Sequence, residues 1–548
     1  MNLLKLLNQN QGTTGALQGL YPKLMWSFFS PKGRQYLLGS TWTVITDPLG
    51  EAKPTRKYLS DDLTKCPPLF LGFSNEGACV VPLEAITKHI WVRGAPGSGK
   101  SSGITGIAHQ LLHHGLPLIY LDYKGERAIE AELFLTGEKL GRTVKKVTFI
   151  NGEPTHGIRN ILDSNNMPFE RAAHTADILG IYHGEGYGMT FYSDVGKSLL
   201  EKAYKKHPEI ETFEDLDRAV TGLIEGLPRG ERKDAMGLCV AIQNLASIPQ
   251  INISERNSPP DVYEHAVDFR DALEKNQVIL IVVPAAKVGA AASAIGRAIV
   301  AAARTASFDL YQARKRPTLS ALFIDEAQHA VKTPTVEWSL EQMRYTGLGF
   351  VLAHQHDGQL GDYSDSLRNA QIRIHYSVEM GSLTHDEILK LGEKKKIRVT
   401  QSGGTSRNRF RSVTSGESYS AGGTRLQEGS AIGGGVAEQD GWSQQEMEAP
   451  YIETNDIVAL NADPKLALCH IQTGVKESGI DGFPFFLRFN HHISAKDFFA
   501  RASFTAPAKP GVFTAGMTPK VEVSKPSSLE HSRAAYWQAE MKQIHDAL

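Results

Sequence analysis

Cysteine is scarce in this chain of 548 residues. The four that are present, Cys66, Cys79, Cys239 and Cys469, lie far apart and form no CxxC pair. Closely spaced cysteines build zinc sites, and small secreted domains use many cysteines as a disulfide framework. The spacing therefore predicts neither kind of site, and it is typical of a protein that works in a reducing cytoplasm.

Long apolar runs are also missing. The N-terminus lacks the charged region, apolar stretch and small-residue cleavage site of a secretory signal. Its most apolar stretch, Leu24 to Phe29, is too short to span a bilayer. The run from Val278 to Ala303 is interrupted by Pro284 and Lys287, and it predicts a buried strand followed by a helix. We expect a cytoplasmic chain that reaches the inner membrane, if at all, as a peripheral protein held by a partner.

Nor does the chain carry an excess of one charge. Its 59 Lys and Arg nearly balance its 60 Asp and Glu, and the formal net charge is -1. This balance excludes a polybasic protein that binds nucleic acid over its whole surface, so any DNA contact must be local. The best local candidate is a run with seven basic residues and no acid: Lys394, Lys395, Lys396, Arg398, Arg407, Arg409 and Arg411. Such a basic run either contacts phosphates or is a solvated surface, and both alternatives stay open.

Hydrophobic periodicity predicts an α/β fold with a mainly parallel central sheet. Strand, glycine-rich turn, helix and strand follow one another after Pro68 and form a βαβ unit, and a second such unit begins at Val278. Helical periodicity alone fills the stretch between them, which predicts an inserted all-α domain. We divide the chain into an N-terminal segment of unknown role without a transmembrane helix (1–67), core (68–167), all-α insert (168–260), core (261–393), Gly/Ser/Arg-rich mobile insertion or long hairpin (394–449), core (450–500), and Pro-rich linker with terminal helix (501–548).

The turn after the first of these strands fits the pattern GxxxxGK[ST] without a mismatch. Glycines in this motif let backbone N–H groups wrap a phosphate chain, and the following helix N-terminus adds a favourable dipole. Lys100 would reach the β and γ phosphates of ATP, while the Ser101 hydroxyl would ligate Mg²⁺. A strand before and a helix after disfavour the alternative of a glycine-rich turn without nucleotide. The predicted nucleotide-binding residues are Gly94, Ala95, Pro96, Gly97, Ser98, Gly99, Lys100, Ser101 and Ser102.

A P-loop needs a second site for the metal and the attacking water. The stretch from Leu322 to Glu326 is an apolar strand that ends in two acids. Asp325 would hold Mg²⁺ through its water shell, and Glu326 would polarise the nucleophilic water. Such a strand is a weak signal alone, but it becomes strong when it is paired with the P-loop. The sequence therefore predicts hydrolysis of ATP.

Two further residues occupy positions that suit catalysis. Gln355 follows the predicted strand Leu348 to Ala353, where a polar side chain can touch the γ-phosphate. Arg344 lies in the turn before that strand and would act as an arginine finger on a neighbouring subunit's nucleotide. A glutamine that caps a strand and a surface arginine are the alternatives. The predicted catalytic set is Lys100, Glu326, Arg344 and Gln355.

Several motifs together resemble one family. The run from Lys88 to Gly94 leading into the P-loop resembles the FtsK/HerA class of DNA-pumping P-loop ATPases. Leu121 to Glu126 is similar to the DPKGE-type motif of type IV secretion coupling proteins, the TraG/TraD-like ATPases. Arg344 to Leu348, continued by Gln355 to Leu360, resembles that family's RKxG...Q...QL segment. Pro450 to Ile457 resembles its RPLLTPDEL-type stretch.

The resemblance covers most of residues 68–490 with the motifs in the right order. It implies a RecA-like P-loop NTPase core with an inserted all-α domain, which assembles as a homo-hexamer. It also implies that ATP hydrolysis drives the transfer of DNA, single-stranded or bound to a relaxase, in conjugation or type IV secretion. The partners would then be relaxosome and secretion proteins. Arg344 matches the family's arginine finger, and Gln355 matches its sensor.

This sequence departs from the family in two places. Family members usually begin with transmembrane helices, and none is predicted here. Tyr123 replaces the usual proline of the DPKGE-type motif, in which Asp122 is either close to the metal or a strand cap. Two other functions stay open: a HerA/FtsK-like double-strand DNA translocase, and a scaffold that senses nucleotide without turnover.

Overall fold

We describe the fold from a computed structural model of the protein. The description covers residues 69–519 without 75–76, 163–165, 182–188, 290, 331–333, 360–365, 393–394, 420–424, 451, 464–465, 473–483, 489–499 and 508. The N-terminal segment 1–67, Lys394 of the basic run and the predicted terminal helix lie outside these residues.

Fifteen strands lie within the described residues. They are β1 (Leu69–Ser74), β2 (Gly77–Val81), β3 (Ile90–Arg93), β4 (Leu118–Asp122), β5 (Val144–Thr148), β6 (Pro154–Thr155), β7 (Val278–Val282), β8 (Ser320–Asp325), β9 (Leu348–His354), β10 (Ile372–His375), β11 (Lys395–Tyr419), β12 (Arg425–Pro450), β13 (Leu466–Ile471), β14 (Pro484–Arg488) and β15 (Phe513–Thr514).

The described residues also contain thirteen α-helices. They are α1 (Lys100–His113), α2 (Arg127–Lys139), α3 (Pro168–Leu179), α4 (Met189–Lys206), α5 (Phe213–Glu225), α6 (Arg229–Ala246), α7 (Pro260–His265), α8 (Phe269–Glu274), α9 (Ala285–Val288), α10 (Ala291–Arg314), α11 (Pro334–Gln342), α12 (Leu383–Gly392) and α13 (Thr454–Ala462).

Eleven strands form one sheet in the order β2-β1-β14-β13-β10-β3-β9-β8-β4-β7-β5. From β10 to β5 every neighbouring pair is parallel. The strands from β2 to β13 extend this sheet as an antiparallel edge. The parallel strands β7 and β4 are buried along their whole length, as expected of strands covered on both faces. The predicted α/β fold with a mainly parallel sheet is confirmed.

Both faces of the sheet carry a hydrophobic core. On one face, α1 buries Ile104, Ala108 and Leu111 against the strands, since these residues recur at helical spacing. On the other face, α10 contributes Ile295 and Ile299 to a larger core. Alternate residues of each central strand therefore enter different cores, and the strand ends are held at a fixed level.

Helices fill the chain between β6 and β7, and two isolated bridges are the only strand pairing in its described part. Thr212 caps α5 by accepting a hydrogen bond from the Asp215 N–H, with a reciprocal bond to the Asp215 carboxylate. The helices share the core on the α10 side of the sheet, with Leu200, Phe213 and Ile242 fully buried there. The helical character of this stretch agrees with prediction, while its boundaries as a domain stay predictions.

The Gly/Ser/Arg-rich segment belongs to a second compact unit, Asp386–Asp456, and forms a hairpin. Of the two alternatives predicted, the long hairpin is found: β11 pairs with β12 antiparallel over its whole length. We call β11 the basic strand, because it contains Lys395, Lys396, Arg398, Arg407, Arg409 and Arg411. The facing strand β12 contains five acids, and Glu438 is the register partner of Arg407. This facing charge favours neither phosphate contact nor a solvated surface, and the alternatives remain open.

One part of the predicted linker is packed chain, which corrects the prediction for residues 501–519. β15 pairs with β6, and Ala515 is fully buried. Phe504 packs its ring near that of Phe134 on α2, with centroids 5.8 Å apart. Proline and threonine content suggested a loose linker, but a few apolar residues suffice to dock an irregular segment on a core.

No helix among the residues described is both long and apolar enough to cross a bilayer.

Candidate functional site: the carboxyl edge of four strands

Four neighbouring strands of the sheet, β3, β9, β8 and β4, end at one level. In register, Arg93 of β3 faces His354 of β9, and Asp122 of β4 faces Asp325 of β8. Since β8 and β9 are also paired in parallel, the loops that follow all four strands meet at one edge. These loops carry the P-loop, Gln355, Glu326 and the turn after Asp122. The sheet thus gathers residues that are more than 200 positions apart in the sequence.

The P-loop has the backbone that its glycines allow. Gly97 and Gly99 have φ values of 78° and 97°, in the left-handed region where side chains other than glycine are disfavoured. Gly99 is the N-cap of α1, and the first backbone hydrogen bond of the helix runs from the Gly103 N–H to the Gly99 carbonyl, 3.0 Å. The N–H groups that precede this bond have no acceptor within the helix and are directed toward the loop.

Lys100 is buried and folds back over the loop. Its Nζ donates to the Gly94 carbonyl at 2.6 Å and to the Ala95 carbonyl at 3.3 Å. The Ala95 N–H donates to Ser377 Oγ at 2.6 Å, which ties the loop to the chain after β10. Burial, together with the charge of Lys124, lowers the pKa of Lys100.

The two residues predicted to ligate Mg²⁺ are in direct contact. Ser101 Oγ donates to Asp325 Oδ2 at 2.9 Å, and the second oxygen of Asp325 accepts the Glu326 N–H at 3.1 Å. Asp325 is 1% exposed. Within the described residues no group of three or more His, Cys, Asp and Glu could hold a metal by itself. A cation at this pair would therefore need further ligands, such as phosphate oxygens and water.

Glu326 is held in a strained and highly coordinated position. Its backbone lies in the left-handed region at φ 62°, which for a residue other than glycine costs about 1 kcal/mol or more. Its carboxylate accepts hydrogen bonds from Gln355 at 2.7 Å and from Gln328 at 2.6 Å, and it pairs with Lys124 at 2.6 Å. Burial alone would raise the pKa of Glu326, but these partners, Lys124 foremost, lower it to about 2. Glu326 is therefore an anion at neutral pH.

Lys124 is a member of the site to which sequence reasoning assigned no role, as are Gln328 and Ser377. Asp122 organises its turn, because one carboxylate oxygen accepts the Lys124 N–H and the other accepts the Glu126 N–H, each at 2.8 Å. Burial, and then the charge of Asp325, raises the pKa of Asp122 to about 6. The signal was present in the DPKGE-like motif, but only the parallel pairing of β4 with β8 shows which acids Lys124 meets.

Tyr123, which stands where the resembling family has proline, is buried under the site. It is 3% exposed, and its ring lies 5.0 Å from that of His329, just after the two acids. The Tyr123 hydroxyl occupies the space that a side chain at Gly296 of α10 would need. The substitution therefore fills a gap between the turn and α10.

Arg344 lies beyond the amino-terminal end of β9, at the opposite end of the strand from Gln355. It is exposed in a short 3-10 helix, Met343–Thr346, that precedes β9. Burial lowers the pKa of His89, and the nearby charge of Arg344 lowers it further. His89 precedes β3, whereas the P-loop follows β3, so Arg344 lies at the end of the strands away from the P-loop. The length of β9, seven residues at about 3.3 Å each, separates Arg344 from Gln355 by roughly 23 Å. Of the predicted catalytic residues, the structure brings together Lys100, Glu326 and Gln355, and leaves Arg344 apart from them.

Comparison with known proteins shows which solved structures share this fold. No family model and no curated protein matches the sequence. Among solved structures, the bacterial conjugative coupling protein TrwBΔN70 in a trigonal form with sulphate aligns at a TM-score of 0.50 and 15% identity, over 83% of this chain and 94% of that one. The chain has the fold of TrwB.

Other solved structures align more weakly. TrwB in complex with ADP and Mg²⁺ has a TM-score of 0.48 and 16% identity, and covers 80% of this chain and 91% of its own. VirB4 of Thermoanaerobacter pseudethanolicus has a TM-score of 0.40 and 14% identity, and covers 57% and 84%. At these identities the likeness bears on the fold alone, and the alignment with TrwBΔN70 agrees with the predicted RecA-like α/β core.

Proposed function

We propose that this chain is an ATPase that couples hydrolysis of ATP to the movement of DNA. The observation that carries the proposal is the meeting of the P-loop, Ser101 with Asp325, and Glu326 with Gln355 at one edge of four parallel strands. A glycine-rich turn without a nucleotide would have no need of two buried carboxylates beside it.

The residues present fit a magnesium nucleotide. Gly99 caps α1, so the first N–H groups of the helix begin at the loop, and Lys100 already lies against the loop carbonyls. Ser101 and Asp325 offer two oxygens at the end of the loop, the donor type that Mg²⁺ prefers. When bound, Mg²⁺ would supply positive charge to the phosphate oxygens.

The protein's own side chains would position the attacking water and stabilise the transition state. Glu326, an anion beside the loop, would orient a water molecule, and Gln355 would fix the direction of the Glu326 carboxylate. Arg344 lies at the other end of β9 from Gln355, so an arginine finger at this position would have to serve a nucleotide held by another subunit. The proposal therefore includes a ring in which each nucleotide lies between two subunits.

The finer part of the proposal is conjugative DNA transfer. TrwB, whose fold this chain has, is a bacterial conjugative coupling protein. We infer a homo-hexamer that moves single-stranded DNA, or DNA bound to a relaxase, toward a type IV secretion apparatus. The basic strand β11 is the proposed DNA contact, and attachment to the inner membrane would depend on a partner protein.

Substitution of the water-orienting acid tests the hydrolysis. In Glu326→Gln, ATP should stay bound while turnover falls by about 10²-fold or more, because the charge that orients water is lost. Retained nucleotide is measured by filter binding and turnover by phosphate release, each with and without single- and double-stranded DNA. Glu264→Gln makes the same change at an exposed site on α7 and should behave as wild type.

The outcomes separate the alternatives. Equal turnover in wild type and Glu326→Gln would refute the catalytic role. A wild type that binds ATP but never hydrolyses it would support the nucleotide-sensing scaffold instead. Stimulation by double-stranded DNA alone would favour the HerA/FtsK-like translocase over a conjugative role.

A further inference from the structure

The Lys124 ammonium lies among the oxygens predicted to bind Mg²⁺. Its Nζ is 3.5 Å from Ser101 Oγ, 3.5 Å from Asp325 Oδ2 and 2.6 Å from a Glu326 oxygen. Ser101 Oγ and Asp325 Oδ2 are the two protein oxygens proposed to ligate Mg²⁺. A single positive group therefore occupies the space beside both of them.

The turn that carries Lys124 is fixed from both sides. Asp122 accepts two backbone N–H groups of the turn, and Gly125 takes a left-handed φ of 76° that closes it. Beneath the turn, Tyr123 is buried against the helix α10. The backbone is therefore anchored, whereas the Lys124 side chain, 35% exposed, can swing on its four-carbon stem.

Electrostatics explains why a cation belongs here. Asp325 and Glu326 are adjacent carboxylates, 1% and 4% exposed, and their mutual repulsion in a poorly solvated site is costly. Lys124 Nζ lies within 4 Å of both carboxylates, whereas Lys100 donates to loop carbonyls. A divalent cation within a few ångströms of the ammonium would in turn be repelled by it.

We propose that Lys124 is a positioning residue that substitutes for the metal cation in the nucleotide-free protein and withdraws when Mg²⁺ enters with ATP. This inference rests on the proposed function, because it assigns the Ser101–Asp325 pair to the metal. Lys124 would thereby weaken metal binding in the absence of nucleotide and hold Glu326 against Gln355 until the site is loaded. The turn from Asp122 to Glu126 would change its contacts with each loading.

Binding of Mn²⁺ to the nucleotide-free full chain tests this role without any turnover. Electron paramagnetic resonance measures free Mn²⁺ in a titration of wild type, Lys124→Met and Lys124→Arg. Removing the ammonium should tighten Mn²⁺ binding by about tenfold or more, since one repelling charge beside the cation is lost. Lys124→Arg keeps the charge and should bind Mn²⁺ as weakly as wild type. Lys287→Met, an exposed change on α9, should have no effect.

A second substitution shows where the ion binds. In Lys124→Met/Asp325→Asn the tightening should disappear, because one of the two oxygens has lost its charge. Unchanged Mn²⁺ affinity in Lys124→Met, or tightening that survives Asp325→Asn, would overturn the proposal. Should Lys124→Met not fold, Lys124→Gln makes the same comparison.

Failure of this inference can be told from failure of the proposed function. ATP turnover by the wild type is measured in parallel. Turnover together with unchanged Mn²⁺ affinity overturns only the role of Lys124. Absent turnover overturns the ATPase proposal, and the Mn²⁺ comparison still decides whether Lys124 covers a cation site.

Discussion

The separation of Arg344 from the P-loop predicts complementation between two inactive variants. Arg344→Ala removes the proposed finger, and Glu326→Gln removes the water-orienting acid. With roughly 23 Å of β9 between Arg344 and Gln355, several times the reach of an arginine side chain, one subunit cannot supply both groups to one nucleotide. Each variant alone should therefore be inactive, while a mixture should recover activity.

The size of the recovery follows from counting interfaces. Loss of an arginine finger lowers turnover by about 10³-fold, which is ~4 kcal/mol of transition-state stabilisation. In a ring with head-to-tail contacts, random mixing at equal amounts places an intact Glu326 opposite an intact Arg344 at about one quarter of the interfaces. If sites act independently, the mixture should reach about one quarter of wild-type turnover, far above either variant.

The assay is phosphate release after the variants are mixed, dissociated and reassembled on DNA. The double variant Arg344→Ala/Glu326→Gln, mixed with wild type in equal amounts, is the matched control: by the same counting it should also reach about one quarter of wild-type turnover, against about one half if each site lay within one subunit. Arg316→Ala, a change at another exposed arginine, should leave turnover unchanged. A mixture no more active than Arg344→Ala alone would refute the shared-site reasoning, provided that wild-type subunits exchange under the same conditions.

Three further predictions concern a helix glycine, a buried histidine and the basic strand. Gly103→Ala on α1 would place its Cβ against the buried Tyr376 hydroxyl and should destabilise the protein by about 1–3 kcal/mol in urea unfolding, whereas Gly222→Ala on α5, where nothing lies within 4 Å, should not destabilise it. Burial lowers the pKa of His89 to about 4, and its Nδ1 accepts the Phe350 N–H, so the folded ring stays neutral. Because His89 in the unfolded chain binds a proton near pH 6.5, this residue should contribute a fall in stability of up to ~1.4 kcal/mol per unit as pH drops from there toward 4, and His89→Asn should remove this one-proton contribution. Replacing the last three arginines of the basic strand by glutamine should flatten the salt dependence of DNA binding; an unchanged slope would contradict a phosphate contact.

Much of the candidate site could be predicted from short, contiguous stretches of sequence. The P-loop is a contiguous segment whose glycines dictate a backbone shape, so its position could be found without a fold. The two acids at the end of β8 could be found in the same way, since a buried strand and its terminal polar residues are adjacent in sequence. Gln355 was placed by the same logic, and the structure brings it to Glu326.

Other features depended on which strands become neighbours. Lys124 stood in a recognised motif without a role, because its partner Glu326 is about 200 residues away. Ser377 was missed for the same reason, since it meets the P-loop only through the parallel pairing of β10 with β3. The packed part of the predicted linker likewise depends on a contact with β6, which its composition could not reveal.

The sequence by itself determined the fold class, the nucleotide loop and the pair of acids, because each depends on residues close together along the chain. Only the tertiary structure decided that Lys124 lies beside Ser101, Asp325 and Glu326. Strand order is the physical reason: β4 and β8 become neighbours through side-chain burial on both faces of the sheet, and chain order alone does not specify that arrangement.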